Sequence, residues 1–239
     1  MKKSLELILL GTFLVTVIGY AQGSKIKGNG KIVTEKRATA EYDQISVSGF
    51  FDVVLVSGKE GVITITGEEN ILPYVKVEVK DNVLQIHVEK NMSISTKKNL
   101  VLIVPFEQIS AVSLSGSGNV ESKSNIVASS FKAKLSGSGD LKLDVNATDF
   151  EINLSGSGDV VLSGNSDNFN SKMSGSGDID ATNLITKKAN LTISGSGDMI
   201  VNCSDSLYAR VSGSGDIAYK GNPASKDTKV NGSGEISKI

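Results

Sequence analysis

Tryptophan is absent from this chain, cysteine and histidine occur once each, and proline occurs three times. The lone cysteine, Cys203, can make no bridge within the chain, so a disulfide-stapled scaffold is excluded. His87 is the only histidine, and no Ser-His-Asp arrangement, metal-ligand cluster or phosphate-cradling loop is visible around it. A charge of one sign is lacking as well. Twenty-five Lys and Arg face 26 Asp and Glu, and the net charge of −1 supplies no basic field for nucleic acid or anionic lipid.

Long apolar runs are also scarce. The one candidate is the N-terminus, MKKSLELILLGTFLVTVIGYAQG, shorter than the ~20 residues of a comfortable membrane span. Lys2 and Lys3 precede its apolar run, and Gly19 and Ala21 stand before Gln22 as small residues do at a cleavage site. Residues 1–21 therefore read as a secretory signal peptide. The expectation is a protein exported to the periplasm, cell surface or extracellular space, with no membrane insertion after cleavage. No cysteine lies near the cut, so lipid attachment there is not expected.

Glycine is what the chain has in plenty, 25 residues, and much of it sits in one motif. SGSGD begins at residues 136, 155, 174, 194 and 212, with SGSGN at 115 and NGSGE at 231. The intervals are 21, 19, 19, 20, 18 and 19 residues. Helical repeats need about 33 residues or more per unit and propeller blades about 40 or more, so a rung of short strands fits best. A flexible linker would be written in the same letters but would not keep a period between alternating apolar segments.

Those segments alternate with period two. Phe131, Ala133 and Leu135 precede one copy, Phe150, Ile152 and Leu154 the next, and Phe169, Ser171 and Met173 the third, with Lys, Glu or Asn between them. Behind each copy comes one apolar residue: Val120, Leu141, Val160, Ile179, Met199, Ile217 and Ile236. Stacked rungs would turn these into continuous inner ladders, with the three phenylalanines piled on one another. In MIVNCSD, the same alternation places Cys203 with Met199 and Val201 on the core face. The fold expected is all-β, a β-helix-like solenoid of about 19-residue rungs.

SGSGD then reads as a corner. Glycine permits the sharp turn, serine offers short side-chain bonds to freed amides, and the acid caps the turn. Asn119, Asp140, Asp159, Asp178, Asp198, Asp216 and Glu235 would stack one strand spacing apart, ~5 Å. Neighbouring like charges there repel by roughly 1 kcal/mol even in water. Amide hydrogen bonds within each corner are the expected offset; the alternative is a row of Ca²⁺ ions held between rungs by these residues. The nine-residue calcium-roll pattern is missing.

Residues 22–108 read as a less regular β region and 109–239 as the repeat region. KDNVLQ marks a hairpin at Asp81 and Asn82, Pro105 a break before the regular coils, and Ser48, Gly49 and Asp52 a degenerate corner. YDQISVSGFFDVVL, followed by VPFEQISAVSLSGSGNV and the train of SGSGD copies, resembles the putative auto-transporter adhesin head GIN domain family. The resemblance implies an exported bacterial β-helix-like protein. After NGSGEISKI no segment follows that could form a translocator barrel, so self-export is not expected.

A catalytic site is usually a singular constellation, whereas these acids recur identically. His87, in LQIHVEK, is expected exposed on a strand. A non-catalytic, adhesin-like binding or structural protein is therefore the functional expectation. The alternatives are a calcium-binding repeat protein or a β-helix polysaccharide-degrading enzyme. An ice-binding template would need threonine arrays that the mixed outward residues do not supply. Carbohydrate or another surface protein is the expected partner, although only Tyr208 and Tyr219 in the repeats could offer an aromatic face. The last coil, lacking a polar cap, would leave a strand edge for self-association.

Overall fold

The computed structural model describes residues 25–239. The signal-peptide reading of residues 1–21 lies outside the described residues, among which no helix is long and apolar enough to cross a membrane. The first nine strands are β1 (Lys25–Lys27), β2 (Ile32–Ala38), β3 (Gln44–Gly49), β4 (Asp52–Ser57), β5 (Val62–Glu68), β6 (Val75–Lys80), β7 (Val83–Val88), β8 (Ser93–Ser95) and β9 (Val101–Phe106). The repeats add β10 (Ala111–Gly116), β11 (Asn119–Ser122), β12 (Ile126–Gly137), β13 (Asp140–Gly156), β14 (Val160–Gly175), β15 (Ile179–Gly195) and β16 (Met199–Gly213). β17 (Ile217–Lys220), β18 (Ser225–Gly232) and β19 (Ile236–Lys238) complete them.

The repeats form the expected stacked-strand solenoid. β12 to β16 pair in parallel, each with its successor, in a register that places Gly137, Gly156, Gly175, Gly195 and Gly213 in one column. Within β13, Leu141, Leu143 and Val145 are buried, then Phe150, Ile152 and Leu154. The inward parity thus changes from odd to even between Val145 and Phe150. A strand achieves that only by bending or bulging, and residues 146–149 form a second corner opposite the SGSG turn. The core fills the space between, with ring centroids 5.6 Å apart for Phe131–Phe150 and 5.5 Å for Phe150–Phe169. Cys203 is fully buried beside Met199 and Val201, so the thiol serves as a core hydrophobe.

The N-terminal region continues the same stack in a different chain order. β3 pairs with β10 and β4 with β11, so Gly49 aligns with Gly116 and Asp52 with Asn119. The stretch SGFFD, residues 48–52, is therefore a genuine first corner. β7 and β9 then lie in parallel beneath β3 and β4, and the antiparallel pairs β2–β5, β6–β7 and β5–β9 fold over that end. Asp81 and Asn82 make the expected hairpin turn, with φ of 51° and 60°.

Pro105 differs from expectation. It lies inside β9, paired with Val56 of β4, and does not break the strand. The pairing of β5 with β9 stops at Ile103, so at Pro105 one flank of the strand is free and the missing N–H costs no ladder bond.

Candidate functional site

The SGSG corner is built by close approach of backbones. Its first glycine has φ between +128° (Gly137) and +144° (Gly195), a region that side chains disfavour. A Cβ added at Gly156 would meet the carbonyl oxygen of Gly137 at 2.1 Å, and one at Gly158 would meet that of Gly139 at 1.8 Å. The second glycine has no left-handed φ, so only the stacking requires it. Sequence reasoning assigned both glycines to chain reversal and missed this, because stacking distance is set by the neighbouring coil and not by the local chain. Serine hydroxyls were expected to hold the freed amides, yet glycine carbonyls do so. Gly137 O accepts from the amides of Ser157 at 2.9 Å and Gly158 at 3.2 Å, and the pattern recurs up the column.

The acidic positions do form one exposed column, and their carboxylates reach the next coil instead of their own corner. Asp140 Oδ1 accepts the Asp159 amide at 3.0 Å, and Asp159 Oδ1 accepts the Asp178 amide at 3.0 Å. Asp178, Asp198 and Asp216 repeat the contact to the amides of Asp198, Asp216 and Glu235 at 2.8, 2.8 and 2.7 Å. At the bottom, Asn119 donates its side-chain N–H to Asp52 at 2.8 Å, and Asn99 donates to the same carboxylate at 2.9 Å. Each acid from Asp140 to Asp216 is thus a staple between coils, and an amide dipole stands beside each negative charge. A cation bound between coils would compete for that oxygen. Among the described residues no three acidic, histidine or cysteine side chains converge to hold a metal ion.

The remaining candidates separate clearly. Tyr219 is buried, whereas Tyr208 stands exposed on β16. His87 is half-buried rather than exposed, because β7 is covered on both flanks by β3 and β6, and its Nε2 lies 3.4 Å from Glu78. Residues in the outward column through β12, β13, β14, β15 and β16 are Lys132, Glu151, Asn170, Asn190 and Tyr208. Unlike the corner, this column does not repeat one chemistry: it runs from cation to anion to two amides to an aromatic ring.

Glu68 was not singled out by any motif, and it is the one fully buried carboxylate among the described residues. It accepts the amides of Gly30 at 2.6 Å and Lys97 at 2.8 Å, and a Cβ at Gly28 would overlap its Oε2. Burial pushes its pKa up, but the amides of Lys97, Gly30 and Lys98 and the Lys97 charge outweigh this and hold it below the ordinary value. Burial, with Glu60 nearby, raises the pKa of the Tyr42 hydroxyl, which donates to the Pro105 carbonyl. On the surface of β11, Lys123 and then Lys142 lower the pKa of Glu121.

No protein of curated description matches the chain. Among solved structures, a putative adhesin from Bacteroides fragilis NCTC 9343 is similar with a TM-score of 0.83 at 24% identity, covering 90% of this chain and 100% of that one. A putative lipid binding protein from Parabacteroides distasonis ATCC 8503 gives 0.76 at 24% identity over the same shares. A putative adhesin from Parabacteroides merdae ATCC 43184 gives 0.67 at 24% identity, covering 90% and 99%. These likenesses establish a shared fold. Residues 41–223, both corners' strands and the first coil included, match the family described as putative auto-transporter adhesin, head GIN domain, and the chain belongs to that family.

Proposed function

We propose that this protein is an exported, non-catalytic binding module of the cell envelope or cell exterior, adhesin-like in role, that presents the outward face of β12 to β16 to its partner. One observation carries this reading: the acids of the corner column from Asp140 to Asp216 are engaged alike in holding the next coil, whereas the outward column from Lys132 to Tyr208 passes through four different side-chain chemistries in five coils. A repeated contact is scaffold; a varied, rigidly spaced one is where selectivity can reside. The adhesin description of related folds supports the same class.

Two measurements test it. Beads carrying the purified protein should adhere to polysaccharide- or envelope-coated surfaces, and polysaccharides incubated with it should gain no new reducing or unsaturated ends. Release of product would replace a binding module by an enzyme. Export predicts a mature protein outside the cytoplasm that begins at Gln22, and an intact Met1 terminus on cytoplasmic protein would refute that part. Self-association through the edge strands β18 and β19 belongs to the same proposal, and a strictly monomeric protein in concentrated sedimentation runs would remove it.

A further inference from the structure

Tyr208 is the one tyrosine of the repeat coils with a free ring, 41% exposed against 7% for Tyr219. Its ring is not a loose surface aromatic. The Arg210 guanidinium carbon lies 3.8 Å from the ring centroid, and Asp227 on the next coil holds that guanidinium at 2.8 Å through its carboxylate and 2.9 Å through its carbonyl. The ring is thus clamped in one orientation by a cation–π contact that is itself tied down.

Arg210 follows Tyr208 by two residues along β16. On the opposite side, two residues earlier, a shallow recess of about 480 Å³ opens beside Ser206. Its floor is at Phe169 and Ala189, and Asn170 and Asn190 stand on the two coils next to Tyr208 in the ring's own column. Lys188 and Asp149 add one charge of each sign, and Asn168 donates to Asp149 at 2.8 Å. The recess therefore combines an apolar ring face with amide groups spaced one strand apart, ~4.8 Å, the scale of a single sugar ring.

We propose that this recess is a glycan subsite, in which a pyranose packs its C–H face on the free side of Tyr208 while Asn190 and Asn170 bond its hydroxyls. The inference deepens the binding-module reading and rests on it. An amphipathic ring with one apolar face and a polar rim is the ligand such a surface complements: the aromatic supplies contact area, the amides supply both donors and acceptors, and neither requires a deep pocket. Arg210 is the positioning residue, since it fixes the ring without reaching into the recess.

The test uses the purified protein on an array of defined neutral and uronate oligosaccharides, followed by calorimetric titration of the strongest binder. Tyr208→Ala should weaken binding on the order of tenfold, and Asn190→Ala should weaken it as well, with unfolding midpoints near that of the parent because both side chains are exposed. Tyr208→Phe keeps the ring face and should retain most of the affinity. Glycan binding that is indifferent to Tyr208→Ala and Asn190→Ala would overturn the site. Adhesion to envelope-coated surfaces without binding to any glycan would overturn the glycan assignment and leave the binding module standing. Absence of both would bring down the broader reading too.

Discussion

Residues 25–106 and residues 111–238 both stack strands in parallel, but they hold the stack by different means. In the repeats, every coil meets its neighbour through the same glycine column, joined from Asp140 onward by the same carboxylate column, so one short motif, recopied, specifies the stack. In the N-terminal region the stack is closed over by antiparallel strands, and single contacts do the holding: Glu68 gathers the turns at Gly30 and Lys97, and Asp52 receives both Asn99 and Asn119. A repeated architecture distributes its constraints over many equivalent positions. The capping end concentrates them in a few unlike ones.

Glycine substitutions should separate the two regions most sharply. Gly158→Ala places a methyl group 1.8 Å from the Gly139 carbonyl oxygen and 2.9 Å from its carbon, so only backbone could give way. It should lower stability by more than about 3 kcal/mol in denaturant unfolding, as overpacked, strained positions do. Gly30→Ala is the counterpart at the N-terminal end, where φ is +82° and no atom lies within 4 Å of the added carbon. There only the backbone preference is lost, about 1 kcal/mol. Similar losses at the two sites would mean that the column is less tightly stacked than described.

Acid should loosen the capping end before the coils. The folded-state pKa of Glu68 is lowered, so its contribution to stability is fully present above the unfolded carboxyl value of about 4.3 and fades as pH falls through the lower folded value. Hydrogen exchange at the amides of Gly30 and Lys97 should therefore accelerate in acid ahead of the amides in β13 to β15, and Glu68→Gln should remove that pH dependence. Uniform acceleration along the chain would assign the acid sensitivity elsewhere.

The carboxylate column should prove more forgiving than the glycine column. Asp178→Ala deletes the acceptor for the Asp198 amide and should cost about 1 kcal/mol. Asp178→Asn keeps an acceptor oxygen and relieves like-charge repulsion, so stability should change by less than about 0.5 kcal/mol. Asn119 already occupies the equivalent position of the first SGSG coil. An effect of the opposite sign belongs to Ser171, whose buried hydroxyl has no partner in a column otherwise made of Ala133, Ile152, Leu191 and Ala209. Ser171→Ala should leave stability unchanged or raise it by up to about 1 kcal/mol.

The contrast between the regions also explains what the sequence made legible. The period of the motif and the alternation around Phe131, Phe150 and Phe169 led directly to stacked strands, because neighbouring coils repeat the same local pattern. Gly49 and Asp52 were recognisable as a corner for the same reason. Glu68 and Pro105 were not, since their meaning depends on which strands come to lie beside them in a region without a repeat. The recess at Tyr208 was half legible: the ring could be named, but its clamp by Arg210 and Asp227 and the amides around it come from four different coils.

SGSGD forms a corner whose acids bond the backbone of the next coil, and that bonding leaves no role for an ion. The most direct test is the thermal unfolding midpoint of the purified protein in millimolar Ca²⁺ and again in chelator. An ion held by the folded state must raise that midpoint, and the rise grows with the logarithm of ion concentration above the dissociation constant. The midpoint should be the same in both conditions. A rise that grows with Ca²⁺ concentration and is abolished by Asp178→Asn would contradict it and turn the carboxylate column into a cation ladder.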